Sequence, residues 1–442
     1  MTTTRLRQLT LPILPVVLLL TVACGGDGET GPQENRAPSF RDPPAALAPD
    51  ADLLHVVPAD ELTFTAWGID PDVEEVFYLW DIVYEDDDSE VAQPGRIVGA
   101  DSAQMTWTVG SLEAGVRVLC TISDAAGLSL TRSAGSFSPG TPLRNLVVAS
   151  DSTFTVGAWP YVVLGDLRVQ AGTTLRLQAG VELLFRPDRS SETRWDKHAL
   201  IVEGELICSG ELTNPVLLSG AYGSHPGNGN QQFEGIEVRP GGRVSLEFTR
   251  VELAEFGLDI QSLSPSDVQN SSFVGCSTGV LVAQGDGSSI TNVAFRENSV
   301  GLQLNNSAVR VEACRFESHS LYGIDVDSST APASLDVQAC EFGSNLQAHL
   351  RMSATPGNPI QARVRQTNFL DQAGFAPAVI LASPCVFYVL DLKGNYWGPV
   401  SGPQDIKDVF DGGKACDPGL LEWSDSECDG DPEACDWSPL PW

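Results

Sequence analysis

A regular beat of glycine and apolar residues runs through the middle of the chain. Four glycines recur every 22 residues, each followed by an apolar, a variable and an apolar residue: Gly257, Gly279, Gly301 and Gly323. Three phenylalanines precede the later glycines by six or seven positions: Phe273, Phe295 and Phe316. A repeat of this length that carries strands is typical of a solenoid, whose coils stack equivalent residues about 4.8 Å apart. We therefore predict an inward phenylalanine column, and a glycine wherever a Cβ atom would crowd the chain.

The segment before these coils has a different pattern. Between residues 39 and 138, short stretches of alternating apolar and polar residues are separated by turn residues, most clearly around 62–67 and 116–122. About 100 residues with this pattern predict a β-sandwich. The run from Asp70 to Asp72 and the later Trp80 resemble the immunoglobulin-like or polycystic-kidney-disease-like modules of exported bacterial proteins. That resemblance implies that Trp80 lies in the core.

Apolar strands separated by glycine turns also occur on both sides of the 22-residue beat. They are found at residues 165–169, 172–177, 180–185, 200–206 and 394–398. Together with the glycine and phenylalanine columns, they resemble the right-handed parallel β-helix repeat proteins of the pectin-lyase-like superfamily. The resemblance covers residues 140–415 and implies three sheets, each with one strand in every coil. The predicted fold class is therefore all-β, an immunoglobulin-like β-sandwich at 39–138 followed by a right-handed parallel β-helix.

Two cysteines fit the same repeat. Cys314 and Cys340 each precede a phenylalanine by two residues, so they occupy one position on neighbouring coils. Free cysteine is among the most buried residue types. We therefore predict that both thiols are stacked in the core.

The first 38 residues have the composition of an export signal and a linker. Residues 1–23 carry two arginines, no acidic residue and an apolar stretch too short for a membrane span, which needs about 20 residues. Their end resembles a bacterial lipobox, which implies that Cys24 is acylated and anchors the protein to a membrane. Residues 24–38 are polar and glycine-rich, as in a flexible tether. We expect a lipoprotein of the bacterial cell envelope, at the outer membrane or cell surface; secretion with a free Cys24 is the alternative.

Net charge restricts the partners of the protein. The chain has 58 acidic and 26 basic residues, for a formal net charge of -32. A field of that sign repels phosphate backbones, so we expect no nucleic-acid partner. Residues 416–442 form an acidic, cysteine-containing tail with little apolar content. Acidic residues 85–88 are a weak candidate for Ca²⁺ and more typical of a solvated hairpin tip, because Ca²⁺ needs spaced oxygen ligands; no other cofactor is indicated.

The predicted outward positions do not assemble a catalytic group. The variable residues of the repeat form one column: Asp259, Leu281, Gln303, Asp325 and Arg351. Its two aspartates are three coils, about 14 Å, apart, which is too far for the direct cooperation of a glycosidase pair. Glu317 and Glu341 lie closer, but Arg296 and Arg315 alternate with them, which favours an ion-pair ladder over a catalytic dyad. The five histidines are scattered, so we assign no catalytic residue and no metal site.

Two long insertions are the stronger candidates for ligand binding. They occupy residues 186–198 and 220–232, follow consecutive coils and should project from neighbouring corners. Basic and aromatic side chains concentrate there in an otherwise acidic chain: Arg186, Arg189, Arg194, Trp195, Lys197, Tyr222 and His225. Flat aromatic faces and cations suit an anionic or neutral glycan. The alternative is that both loops cover the end of the helix or dock the sandwich.

The sequence therefore predicts a surface lipoprotein whose β-helix presents a non-catalytic binding or adhesion surface for glycans. One alternative is a polysaccharide lyase or glycoside hydrolase, which the resemblance to the pectin-lyase-like superfamily implies. The other is a structural or assembly scaffold. We favour binding over catalysis because no pair of outward carboxylates on adjacent coils is free of arginine neighbours.

Overall fold

The computed structural model describes residues 35–47, 53–72, 75–189, 195–222, 231–283, 286–370, 379–382, 388–391, 395 and 421–422. Every regular element among these residues is a β-strand, and the 41 strands form six sheets. Within the same residues, no helix is long and apolar enough to cross a membrane. The predicted signal peptide, Cys24, and nearly all of the tether and of the acidic tail lie outside the described residues.

The N-terminal part consists of two facing four-stranded sheets. Sheet 1 has the order β1 (Ser39–Ala46), β3 (Glu61–Ile69), β6 (Gln104–Val109) and β5 (Gly95–Val98), all antiparallel. Sheet 2 has the order β2 (His55–Val56), β8 (Ser129–Pro139), β7 (Val116–Ser123) and β4 (Phe77–Tyr84). Alternating residues of both sheets meet in the core, where Phe64, Trp80, Trp107 and Phe137 are buried. The expectation that Trp80 is a core residue is confirmed, since it is 2% exposed.

The second part is a parallel β-helix of three long sheets, which confirms the predicted all-β solenoid. Sheet 3 contains β10 (Val147–Val148), β13 (Leu167–Val169), β18 (Ala199–Val202), β21 (Phe233–Val238), β24 (Ala254–Ile260), β27 (Thr278–Val282), β30 (Val300–Asn305), β33 (Tyr322–Ser328), β36 (Ala348–Ala354) and β39 (Val379–Leu381). Sheet 4 contains β11 (Ser152–Phe154), β14 (Thr174–Gln178), β19 (Glu205–Ser209), β22 (Arg243–Glu247), β25 (Asp267–Gln269), β28 (Asp286–Thr291), β31 (Ala308–Glu312), β34 (Ala333–Gln338), β37 (Ile360–Arg365), β40 (Tyr388–Asp391) and β41 (Leu421–Glu422). Sheet 5 contains β9 (Thr141–Arg144), β12 (Tyr161–Leu164), β15 (Glu182–Phe185), β20 (Val216–Gly220), β23 (Thr249–Glu252), β26 (Ser272–Val274), β29 (Ala294–Arg296), β32 (Arg315–Glu317), β35 (Glu341–Gly343) and β38 (Asn368–Phe369). A short hairpin of β16 (Asp188–Arg189) and β17 (Trp195–Asp196) stands apart from them.

Stacked phenylalanines form the centre of the β-helix, as the sequence predicts. The ring centroids of Phe273 and Phe295 are 5.5 Å apart, and those of Phe295 and Phe316 are 4.7 Å apart, with nearly parallel planes. Phe342 and Phe369 continue the same column, and all five rings are buried. Such a column joins every coil to the next through apolar contact.

The repeating glycines are required by this column. A Cβ atom on Gly279 would lie 2.8 Å from Cδ1 of Phe295 and 2.5 Å from the carbonyl oxygen of Gly301 in the next coil. Gly301 and Gly323 meet the same two neighbours in their own coils. Side chains are therefore excluded by close approach, and the strand continues without a left-handed residue at these positions.

A polar ladder lines the corner between sheets 5 and 3. The backbone amide of Cys276 donates to Oδ1 of Asn298 at 2.8 Å, that of Asn298 to Nδ1 of His319 at 3.2 Å, and that of His319 to Oδ1 of Asn345 at 3.1 Å. Each corner amide thus finds its acceptor one coil further on, which satisfies buried backbone that no strand pairs. The predicted cysteine stack is confirmed nearby, because the amide of Cys314 lies 3.3 Å from Sγ of Cys340 and both thiols are buried.

Protonation of His319 should weaken the fold. Burial of this ring, which is 0% exposed, lowers its pKa from 6.5 to about 3. The unfolded chain therefore binds this proton as the pH falls below about 6.5, while the folded chain stays neutral, so stability is lost on acidification. Between pH 7 and pH 5, we expect the free energy of unfolding to fall by about 2 kcal/mol more in the parent than in His319→Asn.

Asparagine is the matched replacement, because Asn298 and Asn345 already occupy this ladder and donate to the carbonyl oxygens of Phe273 and Phe316. Urea unfolding of both proteins at the two pH values measures the difference. Equal losses in parent and variant would show that His319 is not the titrating group.

Candidate functional site

The two long insertions leave from neighbouring strands of sheet 5, as predicted. Phe185, at the end of β15, pairs with Gly220, at the end of β20. The first insertion starts with the β16–β17 hairpin, in which Arg189 pairs with Trp195 through the backbone. The side chains of Arg189 and Trp195, like Arg194 and His225 as a whole, lie outside what the structure describes. The remaining predicted ligand residues are Arg186, Lys197 and Tyr222.

Arg186 is bound to the sandwich. Its two terminal nitrogens each lie 2.7 Å from one carboxylate oxygen of Asp60, so the pair is bidentate. The side chains are only 14% and 10% exposed. The same carboxylate accepts a hydrogen bond from the backbone amide of Val57 at 2.8 Å. Arg186 therefore holds the two parts of the molecule together, which is the docking role that the sequence left open.

Tyr222 also belongs to the junction. Its backbone pairs with Leu53 of the sandwich, and its side chain is 6% exposed within the sandwich core. The buried amide of Gln232 accepts from the Tyr222 amide at 3.0 Å and donates to the Tyr222 carbonyl at 3.1 Å. A ring in this position offers no flat face to a sugar. Both Arg186 and Tyr222 thus serve domain docking.

Lys197 and its neighbour His198 place the base of the first insertion against sheet 3. Nζ of Lys197 lies 2.7 Å from Oε2 of Glu255 in β24. Nε2 of His198 lies 3.3 Å from Oδ2 of Asp188, and Nδ1 lies 4.0 Å from Oδ1 of Asp166. The loop therefore borders the outer surface of sheet 3 near the strands that carry the predicted outward column.

That outward column is longer than predicted. Strand register confirms the order of Asp259, Leu281, Gln303, Asp325 and Arg351, and it extends the column upstream through Glu237, Ile201 and Arg168. We call the polar members of the column on β21 to β36 the outer polar face: Glu237, Asp259, Gln303, Asp325 and Arg351. Asp259 and Asp325 are three coils apart, as expected from the repeat.

Asp259 is the least satisfied carboxylate of the outer polar face. Its Oδ2 accepts from Nε2 of Gln261 at 2.6 Å, whereas Oδ1 is buried and has no hydrogen-bond partner among the described residues. Burial raises the pKa of Asp259, and the neighbouring Glu237 raises it further, against the opposing effect of Gln261. Glu237 itself is bound by Arg239, with contacts of 3.0 and 3.2 Å. An incoming donor would therefore find one free oxygen on Asp259.

The far end of the outer polar face is internally paired. Arg351 donates to Oδ1 of Asp325 at 2.7 Å, and its guanidinium lies 5.5 Å from the centre of the Tyr322 ring. Burial raises the pKa of Asp325, while Arg351 opposes that shift. Gln303 lies between the two aspartates, and its amide nitrogen is 3.4 Å from Oδ1 of Asn305. This end offers amide and charged groups that are already ordered by their neighbours.

The predicted ion-pair ladder on sheet 5 is confirmed. Nε of Arg315 lies 3.3 Å from Glu317 and 3.1 Å from Glu341, and Arg296 lies 3.1 Å from Glu317. Among the residues described, no three histidine, cysteine, aspartate or glutamate side chains are grouped so that they could hold a metal ion. Acidic residues 85–87 form an exposed turn after β4. The carboxylates of the outer polar face are therefore the candidate groups for chemistry or recognition.

Sequence reasoning missed Glu237, although a signal was present. Gly235 is followed by an apolar, a variable and an apolar residue, the same triplet that follows Gly257. A register irregularity between Gly235 and Ile236, where Gly235 has a φ of 119°, interrupts the even period. The long insertion before β21 also breaks the 22-residue spacing. Searching for the triplet without its period would have found Glu237.

Comparison with known proteins supports the fold. Residues 228–364 match a family model described as "Right handed beta helix region", and with three parallel sheets this identifies the second part as a right-handed parallel β-helix. No curated protein matches the chain. A solved structure titled as a nucleoside hydrolase-related hypothetical protein from Saccharophagus degradans, associated with carbohydrate metabolism, is 18% identical, with a TM-score of 0.18. That match covers 22% of this chain and 26% of that chain, and the likeness is too small to carry an argument.

Loss of the Arg186 charge should uncouple the sandwich from the β-helix. In Arg186→Met the nearly buried Asp60 carboxylate loses its counter-charge, and we expect a cost of about 3 kcal/mol to the junction. Differential scanning calorimetry should then show a separate, earlier transition for the sandwich.

The control is Arg250→Met, which removes an arginine that is 53% exposed from a surface pair with Glu252 and should change little. A thermogram of Arg186→Met that superimposes on that of the parent would contradict the docking role.

Proposed function

We propose that the protein is an envelope-anchored glycan-binding protein whose outer polar face binds a neutral polysaccharide. The β-helix fold is the part of this statement that the comparisons support directly. The ligand, the absence of catalysis and the location are our own inferences. The observation that carries the proposal is the free, buried Oδ1 of Asp259 on a rigid column of carboxylate and amide groups.

Hydrogen-bonding chemistry supports a hydroxyl-rich ligand. Carboxylate oxygens accept from hydroxyl groups, and the amide of Gln303 can both donate and accept. A buried acceptor that lacks a partner costs free energy, so a ligand hydroxyl that reaches Asp259 is favoured. Because Glu237, Asp259 and Asp325 outnumber Arg351 on this column, the face repels anionic polymers. A neutral polysaccharide therefore suits it better than a uronate polymer.

The regular geometry of sheet 3 also supports a polymeric ligand. Equivalent side chains recur once per coil, at the strand spacing of about 4.8 Å, over the strands β21 to β36. A rigid scaffold reduces the ordering cost of binding. Lys197, bound to Glu255 on β24, brings the first insertion to the edge of this face, so Arg189, Arg194, Trp195 and His225 are proposed to border the same ligand.

Removal of two polar groups should abolish this binding. Affinity electrophoresis in gels containing neutral polysaccharides should retard the parent, and Asp259→Ala with Gln303→Ala should weaken binding about tenfold or more, through lost hydrogen bonds. The matched control is Asp336→Ala with Gln361→Ala, which removes the same side-chain types from sheet 4. Equal retardation of parent and outer-face variant would refute the proposed surface.

A glycoside hydrolase is the second candidate function. It is favoured by the raised pKa of Asp259 beside Glu237 on the adjacent strand, because a protonated acid and an ionised partner about 5 Å apart are the requirement of a retaining enzyme. The same polysaccharides, incubated with the protein and assayed for reducing ends, separate the two functions. Our proposal expects no release; release that is lost in Asp259→Asn would establish the hydrolase instead.

The proposed anchor predicts a membrane-bound protein. Acyl chains on Cys24 would hold the chain at the envelope, since a doubly anchored protein stays bound whereas a single chain binds only marginally. In a bacterial host, we expect the full chain to enter the detergent phase of a Triton X-114 extract and Cys24→Ser to enter the aqueous phase. Equal partitioning of the two proteins would contradict the lipid anchor.

A further inference from the structure

A cavity of about 400 Å³ opens at the surface of the sandwich, away from the β-helix. Its floor includes Ala66 and Ala103, and its walls include Asp42, Trp67 and Tyr78. The volume lies within the range of small-molecule sites, which is about 300–1,000 Å³. The walls combine aromatic surface with a carboxylate, as expected for a ligand that is partly apolar and partly polar.

Irregular pairing at the edge of sheet 1 creates the cavity. β1 shifts its register against β3 on both sides of Asp42, which pairs with Trp67. Such bulges re-aim side chains and are frequent beside binding sites. On the other side, the regular pairing of β3 with β6 ends at Thr65, and the amide of Ala66 donates instead to the carbonyl of Ala103 at 2.9 Å. The gap between these strands is therefore built into the backbone.

Two contacts hold the aromatic walls in place. The guanidinium of Arg41 lies 4.2 Å from the centre of the Trp67 ring, a cation–π contact that orders the indole. The backbone amide of Gly68 donates to the Tyr78 hydroxyl at 3.0 Å. Trp67 is nevertheless 54% exposed, which is unusual for a large apolar side chain in an ordered strand. An ordered and exposed indole is a preorganised recognition surface.

We propose that this cavity binds one neutral pyranose residue of a glycan, as a site separate from the outer polar face. The apolar face of the sugar packs on Trp67. Its hydroxyl groups donate to Asp42 and exchange hydrogen bonds with the hydroxyl of Thr65, which also lines the cavity. The carboxylate disfavours an acidic sugar. The inference does not depend on the function proposed for the β-helix, because all of its residues lie in the sandwich.

The test uses the full chain carrying Asp259→Ala and Gln303→Ala, so that the outer polar face does not contribute. Isothermal titration with hexasaccharides of glucose, mannose and xylose measures the affinity, and choline chloride is titrated as the cation that an aromatic and carboxylate site would otherwise take. We expect at least one hexasaccharide to bind, and Trp67→Ala to weaken that binding about tenfold or more. Asp42→Asn should weaken it less, since an amide can still accept a hydrogen bond.

The matched control is Phe77→Ala, which removes an aromatic ring of similar exposure, 47%, from the sandwich without touching the cavity. Thermal midpoints of all variants verify that they are folded. The proposal is overturned if no hexasaccharide binds, if Trp67→Ala binds as the background protein does, or if choline binds and the sugars do not. Failure of the outer-face experiment leaves this result unchanged, so the two proposals are tested separately.

Discussion

The contact between a phenylalanine ring and a glycine backbone sets the geometry of the whole β-helix. Gly279 has no room for a Cβ atom because the ring of Phe295 and the carbonyl of Gly301 both press on it. This contact recurs in successive coils, so it locks each strand of sheet 3 to its neighbour in one register. A slip by one residue would turn the aromatic column outward and the polar column inward. The position of every outward side chain therefore follows from an inward one.

That constraint decides what the surface can do. Outward residues on sheet 3 stand in files whose spacing is fixed by backbone hydrogen bonds, so their chemistry depends on which residues are neighbours. Asp325 has Arg351 beside it, whereas Asp259 has Glu237. Two aspartates in the same column thus have different environments, one neutralised and one with an oxygen left over. Recognition and catalysis both begin from such an unsatisfied group.

Much of this arrangement could be predicted from the sequence, because a period fixes neighbours without any structure. The phenylalanine column, the buried cysteine stack and the ladder of Arg315 with Glu317 and Glu341 all follow from counting residues. Where the period breaks, counting fails. Glu237 follows a bulge and a long insertion, so its place beside Asp259 was missed.

Contacts between distant segments were equally inaccessible. Arg186 and Asp60 are separated by 126 positions, and no repeat connects them. An arginine in a long loop reads as a ligand-binding group until its partner is known. The cavity beside Trp67 depends on register shifts in β1, which leave no trace in an alternating pattern. Long-range pairing and local irregularity are therefore the two features that the residues alone did not disclose.

The repeating ladder of Cys276, Asn298, His319 and Asn345 makes each coil an interchangeable unit. Duplication or deletion of a 22-residue segment would join the same donors to the same acceptors and leave the aromatic pile intact. Rod length is thus a quantity that gene rearrangement can change in steps of about 4.8 Å without inventing a new core. Evolution could set the reach of this molecule from its membrane as one sets a ruler, by the number of turns.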